Sequence, residues 1–350
     1  MKIQWQTFLA EQGAEISDGC VVHYGNPDLE HSVVTTGNVL ADLSHEGLIG
    51  VAGVDALTFL QGQFTNDVRL VTPQRSQLSA WCTPKGRALA SFRVLQQESG
   101  GFLLAMPSER VSVVLKRLRM YLLNSKAILR DASQEWLRLG CAGPTVSEAL
   151  TKVIPILPDA IDQVVQTADY LIIRLRGPHP RFEILGNQSL LERLWEVITV
   201  RAAPVGAMAW GALDVLAGVP VITERTAEAF VPQMLNYVEL EGLSFRKGCY
   251  TGQEVVARLH YLGKLKRRLF LARLGGGEGI PQPGDALWSS EGQTEPGRLV
   301  NVARDPAGEG FIVLAVLPLI EAQGGAVRWQ GERGPILEFL PLPYPLVEGE

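Results

Sequence analysis

Two periods of apolar and polar positions alternate along this chain of 350 residues. Residues 48–54 run apolar almost without a break, which predicts a buried strand. Asp55 then stands as cap for a helix over Ala56 to about Asn66, with Leu57, Leu60 and Phe64 inward. Strand-like stretches at 77–82 and 88–94 flank the turn Thr83-Pro84-Lys85-Gly86-Arg87, and Gly100-Gly101 lead into another at 102–106. From Ser108 the spacing of Val111, Val114, Leu115, Leu118 and Leu122 predicts a helix.

A similar order follows. A strand at 136–139 leads to a helical piece near 146–153, strands at 170–175 and 182–185 meet across Gly177-Pro178, and a helix covers about 189–198. Residues 207–217 predict a further helix, ended by Gly218 with Pro220 beyond. The pattern is that of an α+β protein with two units, about 40–135 and 136–263. Residues 1–40 read as an irregular lead-in. After Gly263, short strands at 298–304, 311–316 and 326–330, separated by glycines and prolines, predict a third unit, a small β-barrel over 264–350.

Composition supports a folded chain: 46% hydrophobic and 20% charged residues bury a sizeable core. A formal charge of -5 gives no global attraction to nucleic acid, so no direct nucleic-acid partner is expected. Cys20, Cys82, Cys141 and Cys249 lie far apart, without a Cys-x-x-Cys pair, which argues against a metal site and for reduced thiols. No apolar run reaches the length of a membrane span and the first residues carry no signal-peptide pattern, so the expectation is a cytoplasmic monomer without membrane contact.

The chemistry concentrates in Phe245-Arg246-Lys247-Gly248-Cys249-Tyr250-Thr251-Gly252-Gln253-Glu254-Val255-Val256-Ala257-Arg258. Thr251 and Glu254 have the spacing of a capping box, and Tyr250 and Val255 that of a hydrophobic staple. Glu254 and Arg258 are four apart, in the favourable order for an ion pair. Cys249 then sits just outside a helix terminus beside Arg246 and Lys247, which favours thiolate. A buried cysteine behind an ordinary cap has the same spacing, and the pattern alone leaves both readings open.

The string Lys-Gly-Cys-Tyr-Thr-Gly-Gln-Glu followed by Val-Val-Ala-Arg resembles the signature of the YgfZ family, folate-binding proteins related to the aminomethyltransferase (T-protein) of glycine cleavage. Phe59-Leu60-Gln61-Gly62-Gln63-Phe64-Thr65-Asn66-Asp67-Val68, the Cys82–Arg87 turn, Trp210 to Asn236 and the Leu340–Tyr344 ending resemble the same family, so the likeness runs from about Asp42 to Tyr344. It implies an aminomethyltransferase-like arrangement around a central cavity holding tetrahydrofolate, with Trp210 and Tyr250 for stacking, Arg258 or Lys247 for the negative tail, and Gln253, Glu254, Asn66 and Asp67 shaping the site. Cys249 would be the working thiolate facing that cavity, with Lys247 lowering its pKa.

Two departures bear on activity. The related transferases carry a glutamate where this chain has Leu216, and Asp214 is expected to point elsewhere. Their essential aspartate aligns with Ser91, in a strand without an acid. The resemblance therefore implies a protein that supports assembly or repair of iron–sulfur enzymes, including those modifying tRNA, with these enzymes as partners. Tetrahydrofolate-dependent aminomethyl or methyl transfer stands as the alternative, and a purely structural adaptor as a third class.

Overall fold

The computed structural model describes residues 1–289, 297–324 and 326–346; parts of the expected C-terminal unit, at 290–296, 325 and 347–350, lie outside the described residues. The strands Gln77–Cys82 and Ala88–Gln96 pair antiparallel across the predicted turn, with Ala80 opposite Ser91. Phe102–Pro107, Glu46–Ala52 and Ile128–Asp131 continue this into a five-stranded antiparallel sheet. On one face it buries Ile49, Val51, Phe92 and Val94 against the Ala56–Gln61 and Ser108–Arg119 helices. Each such side chain contributes about 1.5–3 kcal/mol by leaving water.

The second sheet runs Val164–Gln166, Tyr170–Leu175, Arg181–Gly186, Leu137–Ala142, Val39–Asp42 and Ala203–Val205. Its pairings are antiparallel except the last. Leu48 and Leu103 of the first sheet meet Leu171, Ile173 and Leu185 of the second, so the two sheets pack face to face. The third, among the described residues, is a curled antiparallel half-barrel of Val327–Trp329, Ala286–Ser289, Gly297–Arg304, Phe311–Pro318, Arg267–Leu274 and Leu337–Leu340. One apolar cluster ties all three together through the Ala207–Leu216 helix: Leu78, Val39, Leu213 and Leu314 all belong to it.

Residues 1–40 are not an irregular lead-in. They hold a helix at Ile3–Glu11, a hairpin of Glu15–Ser17 with Cys20–His23, and a helix at Pro27–Val33. Trp5 and Leu9 are fully buried among Leu139, Ile184 and Trp195, and the Trp5 indole donates to Asp42 Oδ1 at 2.7 Å. Two apolar anchors in nine residues are too few to mark a helix by period alone; the rest of its stability comes from the sheet it covers. The charges at 264–268 do not all face water either, since Arg268 is buried and paired with Glu239. No described helix is long and apolar enough to cross a membrane.

Candidate functional site

Alternation along two neighbouring strands sets up the interior site. In Leu137–Ala142 and Arg181–Gly186 the pairing places Glu183 opposite Gly140 and Arg181 opposite Ala142. Period two then puts Arg138, Gly140, Arg181 and Glu183 on one face. Arg138 grips Glu183 through two donors, its Nε at 2.8 Å. Gly140 is required because a Cβ there would lie 2.5 Å from the Trp210 ring. That ring is 3% exposed, and the Arg181 guanidinium stands 4.3 Å over its centroid. Arg181 also donates to Asp214 Oδ1 at 2.7 Å, one helical turn beyond Trp210.

These groups line a cavity of about 100 Å³ between the two sheets. Its apolar wall includes Leu78, Leu175 and Val219. It adjoins a second cavity of about 280 Å³; the two share Leu43, Glu46 and Arg138. Burial pushes the Glu46 carboxyl up to about 7 against the pull of Arg138, with Asp214 and Glu183 adding to the rise. Burial likewise lowers the neighbouring His45 to about 4, helped by Arg138, so that ring is neutral near pH 7. Ser91 lines the cavity too, and its hydroxyl accepts from the Ile222 amide at 2.8 Å. Its position therefore faces the interior without an acid, while carboxylates enter from Glu46, Glu183 and Asp214.

The Cys249 corner is built differently. The helix spans Gln253–Tyr261, and its cap is Gly252 at φ 85°, without a side-chain cap bond. A Cβ on Gly252 would meet the Thr83 carbonyl at 2.3 Å, so close approach to the hairpin turn, not a Thr251–Glu254 capping box, fixes this terminus. Cys249 is exposed. Among the described residues, the lining of this cavity contains Trp210 and neither Cys249 nor Tyr250.

Lys247 is engaged by the backbone. Its buried ammonium donates to the carbonyls of Gln61 (2.8 Å), Asn66 (2.9 Å) and Phe64, joining the two family-like segments. Burial lowers it to about 8, and the three acceptors hold the proton in place. Asn66 continues that junction, donating to Leu78 O at 3.0 Å and Glu241 O at 2.6 Å. Asp67 accepts from Gln61 and from Arg69, whose guanidinium holds its carboxyl down at about 2. Tyr250 is buried with its ring 5.1 Å from the Lys247 ammonium. Glu254 and Arg258 form the expected pair at 3.2 Å on an exposed face, away from the cavity, and Gln253 opens the helix half-buried.

Asn66, Asp67 and Lys247 are thus brought together as a brace, and Trp210 stands apart from them with Arg181 as its stacking partner. Asp214 corrects its expected orientation by pairing with Arg181 at the cavity. Sequence pattern alone does not single out Glu46, Arg138, Arg181 and Glu183. The available signal was charge at alternate positions of apolar strands, Arg181-Phe182-Glu183-Ile184 above all, which marks a strand face turned to a polar interior.

Comparison with known proteins places these features. Residues 21–216 match the GCVT N-terminal domain family. The chain is 34% identical over 232 residues to the tRNA-modifying protein YgfZ of Colwellia psychrerythraea, covering 66% of this chain and 70% of that one. It is 32% identical over 299 residues to the tRNA-modifying protein YgfZ of Edwardsiella ictaluri, covering 85% and 89%. The crystal structure of glycine cleavage system aminomethyltransferase T from Bartonella henselae superposes with a TM-score of 0.72 at 18% identity, over 97% of each chain. The aminomethyltransferase-like fold expected from sequence is therefore present.

Proposed function

The chain belongs to the YgfZ family, and from that premise we propose that it binds a reduced folate in the central cavity and supports assembly or repair of iron–sulfur enzymes, including tRNA-modifying ones, through the Cys249 thiol. The residues suit a pteridine. Apolar walls flank a flat heterocycle, a carboxyl without a partner is at hand for its N–H donors, and Arg138 and Arg181 neutralise the carboxylates that they pair. Tetrahydrofolate would supply one-carbon chemistry when bound; the protein's part is to hold and orient the ring and exclude water.

The observation that carries the thiol reading is the exposure of Cys249. An exposed sulfur is open to a sulfur or cluster fragment on another protein, whereas burial pushes Cys82 to about 12 and Cys141 higher still, leaving both inert at neutral pH. The test is a Cys249→Ala variant in a deletion strain. Loss of iron–sulfur enzyme activities with an unchanged melting temperature is the expected result, and full complementation refutes the thiol role.

Aminomethyl transfer is disfavoured by Ser91, whose hydroxyl occupies the cavity wall where that chemistry places an acid. It predicts product from tetrahydrofolate and a methylamine donor by mass spectrometry, and we expect none.

A further inference from the structure

We propose that Glu46 reads the hydrogen-bonding edge of the bound heterocycle, its two carboxylate oxygens accepting from two adjacent ring and amino N–H groups. The inference rests on the folate reading of the cavity and names the residue that confers its specificity.

Three carboxylates reach the cavity, and they are not equivalent. Glu183 is held by Arg138 and Asp214 by Arg181. Among the described residues, the Glu46 side chain has no hydrogen-bond or ion-pair partner, although it lines both adjoining cavities. Its backbone is fixed, with the amide on Leu43 O at 3.0 Å and Glu46 paired with Pro107 across the sheet, so the carboxyl is presented from a rigid strand. Glu46 is half-buried, and a carboxyl drawn that far out of water without partners is stabilised when a ligand supplies donors. The groups facing it are Arg138, Asp214, Glu183 and Arg181, with neutral His45 adjacent in the chain.

The chemistry selects the ligand class. A carboxylate offers two parallel acceptors, which match an H–N–C–N–H edge such as that of a 2-amino-4-oxo pyrimidine ring. Glu46 thereby supplies from the first sheet what Leu216 withholds on the Ala207–Leu216 helix. Only the ionised carboxylate accepts both donors. Burial holds the carboxyl near 7, so binding releases a proton to solvent as pH falls below that value. Linkage then makes affinity rise about tenfold between pH 6 and pH 8.

The experiment is an anaerobic titration of tetrahydrofolate into the full chain, followed by tryptophan fluorescence at pH 6 and pH 8, for wild type and Glu46→Gln, with melting curves for both. A folate analogue lacking the 2-amino group serves as second ligand. Wild type should bind about tenfold tighter at pH 8 and prefer tetrahydrofolate to the analogue. Glu46→Gln should melt as a folded protein, bind at least tenfold more weakly at pH 8, and lose both the pH dependence and the preference. Wild-type affinity with an intact pH slope in Glu46→Gln overturns the assignment while leaving folate binding in place. Absence of saturable binding by wild type at either pH removes the folate reading, and this inference with it.

Discussion

The central cavity and the Cys249 corner use charge in opposite ways. In the cavity, arginines and carboxylates are packed between two sheets, with Glu183 held by Arg138 and Asp214 by Arg181, while among the described residues the Glu46 carboxyl has no hydrogen-bond or ion-pair partner. At the corner the buried charge, Lys247, is engaged by backbone carbonyls, and the Cys249 thiol is exposed. The difference teaches that one continuous signature need not make one site. Lys247 and Cys249 are two residues apart, yet the lysine braces the 61–67 turn while the thiol meets solvent.

Removing the brace should have the largest effect. Lys247→Met leaves the carbonyls of Gln61, Phe64 and Asn66 without their buried donor, and should cost about 3–5 kcal/mol by urea unfolding. A loss below about 1 kcal/mol would mean that water replaces the ammonium and that the corner is open, not braced.

Glu46 should behave in the reverse sense. Its carboxyl is raised in the folded state from the ordinary 4.5 to about 7. Below pH 4.5 both states are protonated and nothing is lost. Between pH 4.5 and 7 the unfolded chain gives up the proton first, so stability falls as pH rises, and above 7 the full penalty stands. Glu46→Gln removes it. The variant should be more stable than the ligand-free wild type by about 1–3 kcal/mol at pH 8 and equal to it at pH 4. Equal stabilities at both pH values would show that the carboxyl is well solvated.

Much of this could be read from the chain. Gln77–Cys82 and Tyr170–Leu175 fall where alternation and bounding turns put them, because short-range pattern decides such strands. The Ile3–Glu11 helix escapes local pattern because Trp5 and Leu9 gain much of their burial from Leu139, Ile184 and Trp195, more than a hundred positions away. Thr251 is not the cap for a related reason: the Thr83–Gly86 turn, distant in sequence, pins Gly252 first. The Arg138–Glu183 and Arg181–Asp214 pairs depend on strand register, which no local motif states. Where sequence and structure meet is the Glu254–Arg258 pair, and there the expected effect is smallest. With both side chains exposed, Arg258→Ala should change stability by no more than about 0.5 kcal/mol in a thermal or urea melt; a loss above 1 kcal/mol would tie that helix face to the brace.

The separation of the two regions is tested most directly by the dissociation constant of tetrahydrofolate for Cys249→Ala beside wild type. Equal affinities, within about twofold, are expected from a thiol that lies outside the cavity lining. A weakening of tenfold or more would contradict the account and return the sulfur to the folate site.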